Sequence, residues 1–106
     1  MTAETYDTGV ELLPMPKVHT LSAEQIDGTA CVWCPKQLGD TGLRLGPRIR
    51  IDGARVQQWL PRSCRPCASR EAGRVHHIHI RTCARCSHGE YCPDSRALRK
   101  LALEYR

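Results

Sequence analysis

The placement of seven cysteines constrains this 106-residue chain more than any other feature. They fall as Cys31-Val32-Trp33-Cys34, as Cys64-Arg65-Pro66-Cys67, and as Cys83, Cys86 and Cys92 in a C-x2-C-x5-C array. Two residues between cysteines let both sulfurs, with the amides between them, wrap a single ion. The chain has no Phe, two Trp and three Tyr, so it can build little apolar core and needs metals or disulfides to hold a fold. Disulfides fit the odd count poorly. The opening MTAETYDTGV also has neither a basic n-region nor an apolar h-region, so a reducing, cytoplasmic setting is expected. No stretch approaches the roughly 18 apolar residues of a membrane span, and no membrane partner is expected.

Two knuckles joined by a hairpin would place Cys31, Cys34, Cys64 and Cys67 at the corners of one tetrahedral zinc site. The second knuckle opens a helix, whose N-terminal partial charge favours the thiolate. Cys83, Cys86 and Cys92 lack a fourth partner, and one histidine would complete two four-ligand sites. On a helix His79 and Cys83 stand at i and i+4 and project from one face, so His79 is the expected ligand. His76 lies one turn back and is second choice. His88, with one residue between it and Cys86, would strain the knuckle. His77 points off the His79 face, and His19 lies in the N-terminal segment. The expected cofactor is Zn2+, two ions per chain.

Residues 1–27 read as a flexible acidic leader and 28–106 as a double zinc-binding module. Pro14 and Pro16 break regular structure in the leader, whose ELLPMPK run is its only apolar patch. Ser22 and Gln25 form a capping box for a short helical turn that Gly28 ends. Leu45, Ile49 and Ile51, then Val56 and Trp59, alternate on either side of Asp52-Gly53 and predict a hairpin. Pro47 keeps its first strand at an edge. ASREAGRVHHIH, after Cys67, suits a helix through Ala72, Val75 and His79; a strand through His77-Ile80 is the rival. PDSRALRKLALEYR is an amphipathic helix with Leu98, Leu101, Ala102 and Tyr105 on one face and Arg96, Arg99, Lys100 and Arg106 on the other. The fold class expected is a small metal-stabilised α+β domain.

The order knuckle, hairpin, knuckle, helix resembles a treble clef zinc finger. As a set, WLPRSCRPC (59–67), HIRTCARC (79–86) and CPDSRALRKLALEYR (92–106) resemble small cysteine-rich proteins of actinobacteria. That resemblance implies a double zinc-site module and implies no activity. Cys67, Cys83, Cys86 and Cys92 are also similar in spacing to the WhiB-like regulators, which implies a [4Fe–4S] cluster and redox sensing. This second assignment takes Cys67 from its knuckle and strands Cys31, Cys34 and Cys64. The tryptophan–glycine turn that follows the cluster in that family is missing as well.

Residues 1–30 carry five acids against Lys17, net −4, whereas residues 31–106 carry fifteen Lys/Arg against six acids, net +9. A basic module suggests a polyanionic partner. Arg48, Arg50 and Arg55 on the hairpin, Arg62 and Arg65 around the second knuckle, and Arg96, Arg99 and Lys100 on the last helix are the expected phosphate contacts. Catalysis is not expected. Four thiolate-rich ligands leave no open coordination position, and there is neither a Gly-rich phosphate loop nor a placed Ser-His-Asp set. His76-His77 resembles the paired histidines of His-metal endonucleases, but the hairpin offers Arg48, Arg50 and Asp52 where those carry a catalytic histidine. The reading is therefore a non-catalytic zinc module that binds nucleic acid in a regulatory role. The alternatives are an adaptor for a regulatory protein and an iron–sulfur redox regulator. No small-molecule substrate is expected.

Overall fold

A computed structural model of the chain describes residues 9–104. They form two compact units, one of residues 15–64 and the other of residues 9–14 with 65–104.

The first unit opens with a 3-10 turn, Val18–Thr20, and helix α1, Ala23–Asp27. The capping box expected there is complete. The Gln25 amide donates to Ser22 Oγ at 3.2 Å and the Ser22 amide to Gln25 Oε1 at 2.9 Å. Gly28 ends the helix at φ 90°, where a side chain would also press on the Leu60 carbonyl at 3.0 Å. Two antiparallel ladders follow. Strand β1 (Leu43–Arg44) pairs with β4 (Arg62–Ser63), and β2 (Arg48–Asp52) pairs with β3 (Arg55–Trp59). The chain thus makes one long hairpin, and Pro47 stands just before β2, outside the ladder. Asp52 pairs with Arg55, so the loop is Gly53-Ala54, one residue beyond the expected Asp52-Gly53. Gly53 has φ 62° and Ala54 a negative φ, the pattern of a turn with glycine first.

The hairpin's faces are reversed from what the apolar alternation implies. Leu45 and Trp59 are buried, at 0% and 6% exposure, but Ile49, Ile51 and Val56 are 69%, 76% and 68% exposed. Register explains this. Arg48 and Arg50 lie opposite Trp59 and Gln57, and Ile49 and Ile51 lie opposite Gln58 and Val56. Trp59, the largest side chain available, turns inward and takes the half-buried Arg48 and Arg50 with it. Successive residues alternate faces, so the isoleucines must point outward.

The second unit is helical. It holds α2 (Arg65–Thr82), α3 (Ala84–Ser87), α4 (Pro93–Glu104) and a 3-10 turn, Val10–Leu12. Residues 77–80 are helical, which removes the strand alternative. Helices α2 and α4 approach closely because the facing residues are small: Ala68, Ser69 and Ala72 are buried, and Ser69 Oγ donates to the Ala102 carbonyl at 2.6 Å. Leu98 and Leu101 fill α4's inner face as expected; Tyr105 and Arg106 lie outside the described residues.

The expected leader is corrected here from residue 9 onward, and residues 1–8 lie outside the described residues. Val10 and Leu13 are 2% and 1% exposed and belong to the core of the second unit. Two helices this short cannot enclose Leu98 and Leu101 alone, so the turn beside them supplies apolar cover. Gly9 makes the approach possible: at φ 98°, a Cβ there would lie 2.8 Å from Ala97 Cβ.

Two glycines therefore predict opposite outcomes in denaturant unfolding of the metal-loaded protein. Gly9→Ala should destabilise by about 1–3 kcal/mol through left-handed strain and the Ala97 clash. Gly73→Ala should stabilise by about 0.5–1 kcal/mol, because it lies inside α2 with its nearest neighbour, Ala102 Cβ, at an ordinary 3.9 Å.

Candidate metal centres

The first cluster starts with a loop that closes on itself. The Cys31 amide donates to the Lys36 carbonyl at 2.8 Å, and Ala30 bridges to Gln37. The Val32 amide donates to the Arg62 carbonyl at 2.9 Å, which fixes the first knuckle beside the strand that delivers Cys64. Gln25, only 7% exposed, completes the support: its Nε2 donates to the Cys31 and Val32 carbonyls at 3.1 and 3.2 Å. Spacing arguments gave no role to Gln25 beyond its cap. The only hint was a long amide side chain a few residues before a knuckle.

Cys31, Cys34, Cys64 and Cys67 bring four sulfurs within 4.8 Å of one another. Cys34 Sγ and Cys64 Sγ stand 3.6 Å apart. Zn–S bonds of about 2.3 Å at tetrahedral angles put sulfurs about 3.8 Å apart, so this spacing suits one shared ion. It is far too long for a disulfide bond of about 2.05 Å, and all seven cysteines are free thiols. Donors face the sulfurs as well. The Trp33 amide points at Cys31 Sγ at 3.4 Å, and Arg70, one turn along α2, donates to Cys67 Sγ at 3.2 Å. Such donors stabilise negative sulfur and orient it.

The second cluster gathers His79, Cys83, Cys86 and Cys92, again within 4.8 Å. His79 sits in the last turn of α2, and the Cys83 amide donates to its carbonyl at 2.8 Å, continuing the helical pattern to the next member of the cluster. Cys83 is the N-cap of α3, Cys86 lies within α3, and Cys92 immediately precedes α4. His79 Nε2 is 3.2 Å from Cys92 Sγ, and Cys83 Sγ is 4.0 Å from the same sulfur. Gly89, at φ 70°, turns the loop between Cys86 and Cys92. The amide of Cys86, then that of Arg85, holds the Cys83 thiol below its usual range. Burial pushes the Cys86 thiol up, opposed by a hydrogen bond from Ser95.

The other histidines stand apart from this cluster. His76 Nε2 meets Ser95 Oγ at 3.2 Å, and burial, then the charge of Arg99, lowers its pKa and favours neutral imidazole. His77, His88 and His19 are exposed. Ser95 thus touches both His76 and a candidate ligand, Cys86. Cys67 joins Cys31, Cys34 and Cys64, so the set Cys67, Cys83, Cys86 and Cys92 is not brought together.

The expected phosphate contacts are scattered. The Arg62 guanidinium is spent on backbone, donating to the carbonyls of Gly28 (3.2 Å), Gly39 (3.0 Å) and Gly42 (3.4 Å). Three carbonyls left by the neighbouring loops find their donor there. Arg48 donates to the Leu45 carbonyl at 3.2 Å and, with Arg50, is half-buried. Arg55 and Arg65 are exposed. Arg96 lies over the Tyr91 ring, Lys100 faces Glu104 at 3.8 Å, and Arg99 is exposed.

No protein-family model, curated protein or solved structure matches this chain.

Elemental analysis of histidine variants tests the second cluster. His79→Ala should lose one ion per chain, and His76→Ala and His88→Ala should keep the full complement. Gln25→Ala leaves two knuckle carbonyls without their donor. It should cost about 1–3 kcal/mol of stability and weaken metal at the first cluster about 10–100-fold in chelator competition.

Proposed function

We propose that the protein is a non-catalytic recognition module stabilised by two structural zinc ions, and that it docks a partner protein through its hairpin. Both clusters offer four ligands rich in thiolate, the full complement of a tetrahedral ion, which leaves no position for a reactive water. Ligand atoms within 4.8 Å suit one shared ion, whereas a [4Fe–4S] cluster spreads its thiolates over separate irons. Cys67, on which the iron–sulfur spacing depends, sits with the other set.

The observation that carries the docking role is the exposed face of Ile49, Ile51 and Val56, with Leu60 44% exposed next to β3. Three neighbouring β-branched side chains, each more than two-thirds exposed, form a contiguous apolar patch on a short two-stranded hairpin. Such patches mark interaction surfaces. Seven thiolates against two dications would also lower the formal net charge from +5 to +2, weakening the case for a polyanion.

Nucleic acid is the second reading. Arg81, Arg85, Arg99 and Lys100 of the helical unit are exposed and would bind phosphates in a salt-dependent way.

Zinc-loaded protein should be colourless and hold two zinc ions, and chelation should abolish cooperative melting; a brown, iron- and sulfide-containing protein from anaerobic purification would overturn the zinc assignment. For the partner, Val56 is replaced by photoreactive benzoylphenylalanine and cells are irradiated. The expected adducts are destroyed by protease and survive nuclease. Adducts that nuclease destroys move the assignment to nucleic acid.

A further inference from the structure

Two residues outside the second cluster are placed by the same helical spacing as two of its members. His76 precedes His79 by three positions on α2, and Ser95 follows Cys92 by three at the start of α4. The Arg96 amide donates to the Cys92 carbonyl at 3.2 Å, so the helical pattern of α4 reaches back to Cys92. Residues three apart on a helix share a face. Helices that bring His79 Nε2 and Cys92 Sγ to 3.2 Å therefore bring a second pair together one turn further along. His76 Nε2 and Ser95 Oγ also stand 3.2 Å apart.

The direction of the hydrogens follows from counting them. A serine hydroxyl has one proton to give and lone pairs to accept with. Ser95 meets two partners, His76 Nε2 and the Cys86 sulfur. A proton given to His76 would leave the sulfur without a donor from Ser95. A thiolate has no proton of its own, and a hydrogen bond to an ionised acceptor is about twice as strong as one between neutral groups. The hydroxyl proton therefore goes to Cys86, and His76 supplies a proton from Nε2 to the serine oxygen. Cys86 gains most from it. The other side chains that bond its sulfur are those of Cys92 and Cys83, like charges once the cluster ionises, whereas Cys83 has the backbone amides of Cys86 and Arg85.

We propose that His76 and Ser95 form a donor relay, Nε2–H to Oγ and Oγ–H to Sγ, that holds the Cys86 thiolate in position for the second metal ion. Both are positioning residues, and neither ligates. The relay rests on the zinc reading of that cluster and adds what orients its Cys86 ligand. Donors behind a ligand fix its direction and keep the metal from leaving.

The test uses the full chain loaded with zinc, and with cobalt as a spectroscopic substitute. Ser95→Ala should still load both ions but hold the second about 10–100-fold more weakly in chelator competition. His79→Ala, which keeps only the first ion, identifies the unaffected phase. Ser95→Thr retains a hydroxyl and should restore the affinity. His76→Ala should lie between wild type and Ser95→Ala. In the cobalt protein the sulfur-to-metal charge-transfer band of Ser95→Ala should move to longer wavelength, because a sulfur relieved of its donor releases electrons more easily. The band should return in Ser95→Thr, which a loss of packing alone would not produce. Long-range proton–nitrogen NMR spectra of the zinc-loaded protein should show His76 protonated at Nε2. A bare Nε2, an affinity and band indifferent to Ser95→Ala, or no rescue by threonine overturns the proposal. Wild-type protein with no ion at the second cluster removes the zinc reading and the relay together. Wild type with both ions and an indifferent Ser95→Ala removes the relay alone.

Discussion

Sulfur held close to sulfur is the interaction on which the rest of the structure depends. Four ligand atoms inside 4.8 Å of one another, twice over, cannot be a neutral packing feature once the thiols ionise. Two like charges about 4 Å apart repel by about 4 kcal/mol at the effective dielectric of a protein surface. Only a cation at the centre turns that repulsion into cohesion. Other buried groups in each unit are few. The first buries Val32, Leu38, Leu45 and Trp59 and little else that is large; the second relies on Leu98, Leu101, Val10 and Leu13. A metal ion bound at either cluster would make metal binding and folding one equilibrium, with the protonation of these side chains part of the fold's stability.

Around each cluster the backbone is arranged to serve the sulfurs. The hydrogen bonds that close the Cys31–Lys36 loop, the Gln25 amide that holds two knuckle carbonyls and the Arg62 guanidinium that caps three more carry no chemistry of their own. They satisfy polar groups that a tight cysteine loop cannot pair with itself. Arg62 illustrates the consequence for function. A basic residue in a basic chain invites a phosphate, yet its charge is directed inward at carbonyl oxygens. Counting arginines overstates the surface available to a polyanion by every guanidinium used in this way.

What could be read in the sequence, and what could not, follows from the range of each interaction. The capping box at Ser22, the hairpin, helices α2 and α4 and the grouping of His79 with three cysteines all depend on residues near one another along the chain. Their spacing is their geometry. The Gly53-Ala54 loop is off by one because Asp-Gly and Gly-Ala serve different turn types, and strand register decided between them. The burial of Val10 and Leu13 was illegible because it depends on Ala97 and Leu101, more than eighty residues away in the chain. Proline-interrupted sequence looks the same whether it is loose or pressed against a helix.

The hairpin carries the most instructive of these differences. Alternation shows that two faces differ; it does not say which face is covered. Apolar residues normally point inward because a core is available to receive them. In the first unit the buried apolar residues are few, and the inward place on the hairpin goes to Trp59. A metal ion held by these cysteines would supply cohesion that the exposed Ile49, Ile51 and Val56 do not. An apolar face left in solvent lowers solubility and invites unwanted pairing. Ile49, Ile51 and Val56 nevertheless stand outward here, because the strand register that buries Trp59 leaves them no other face.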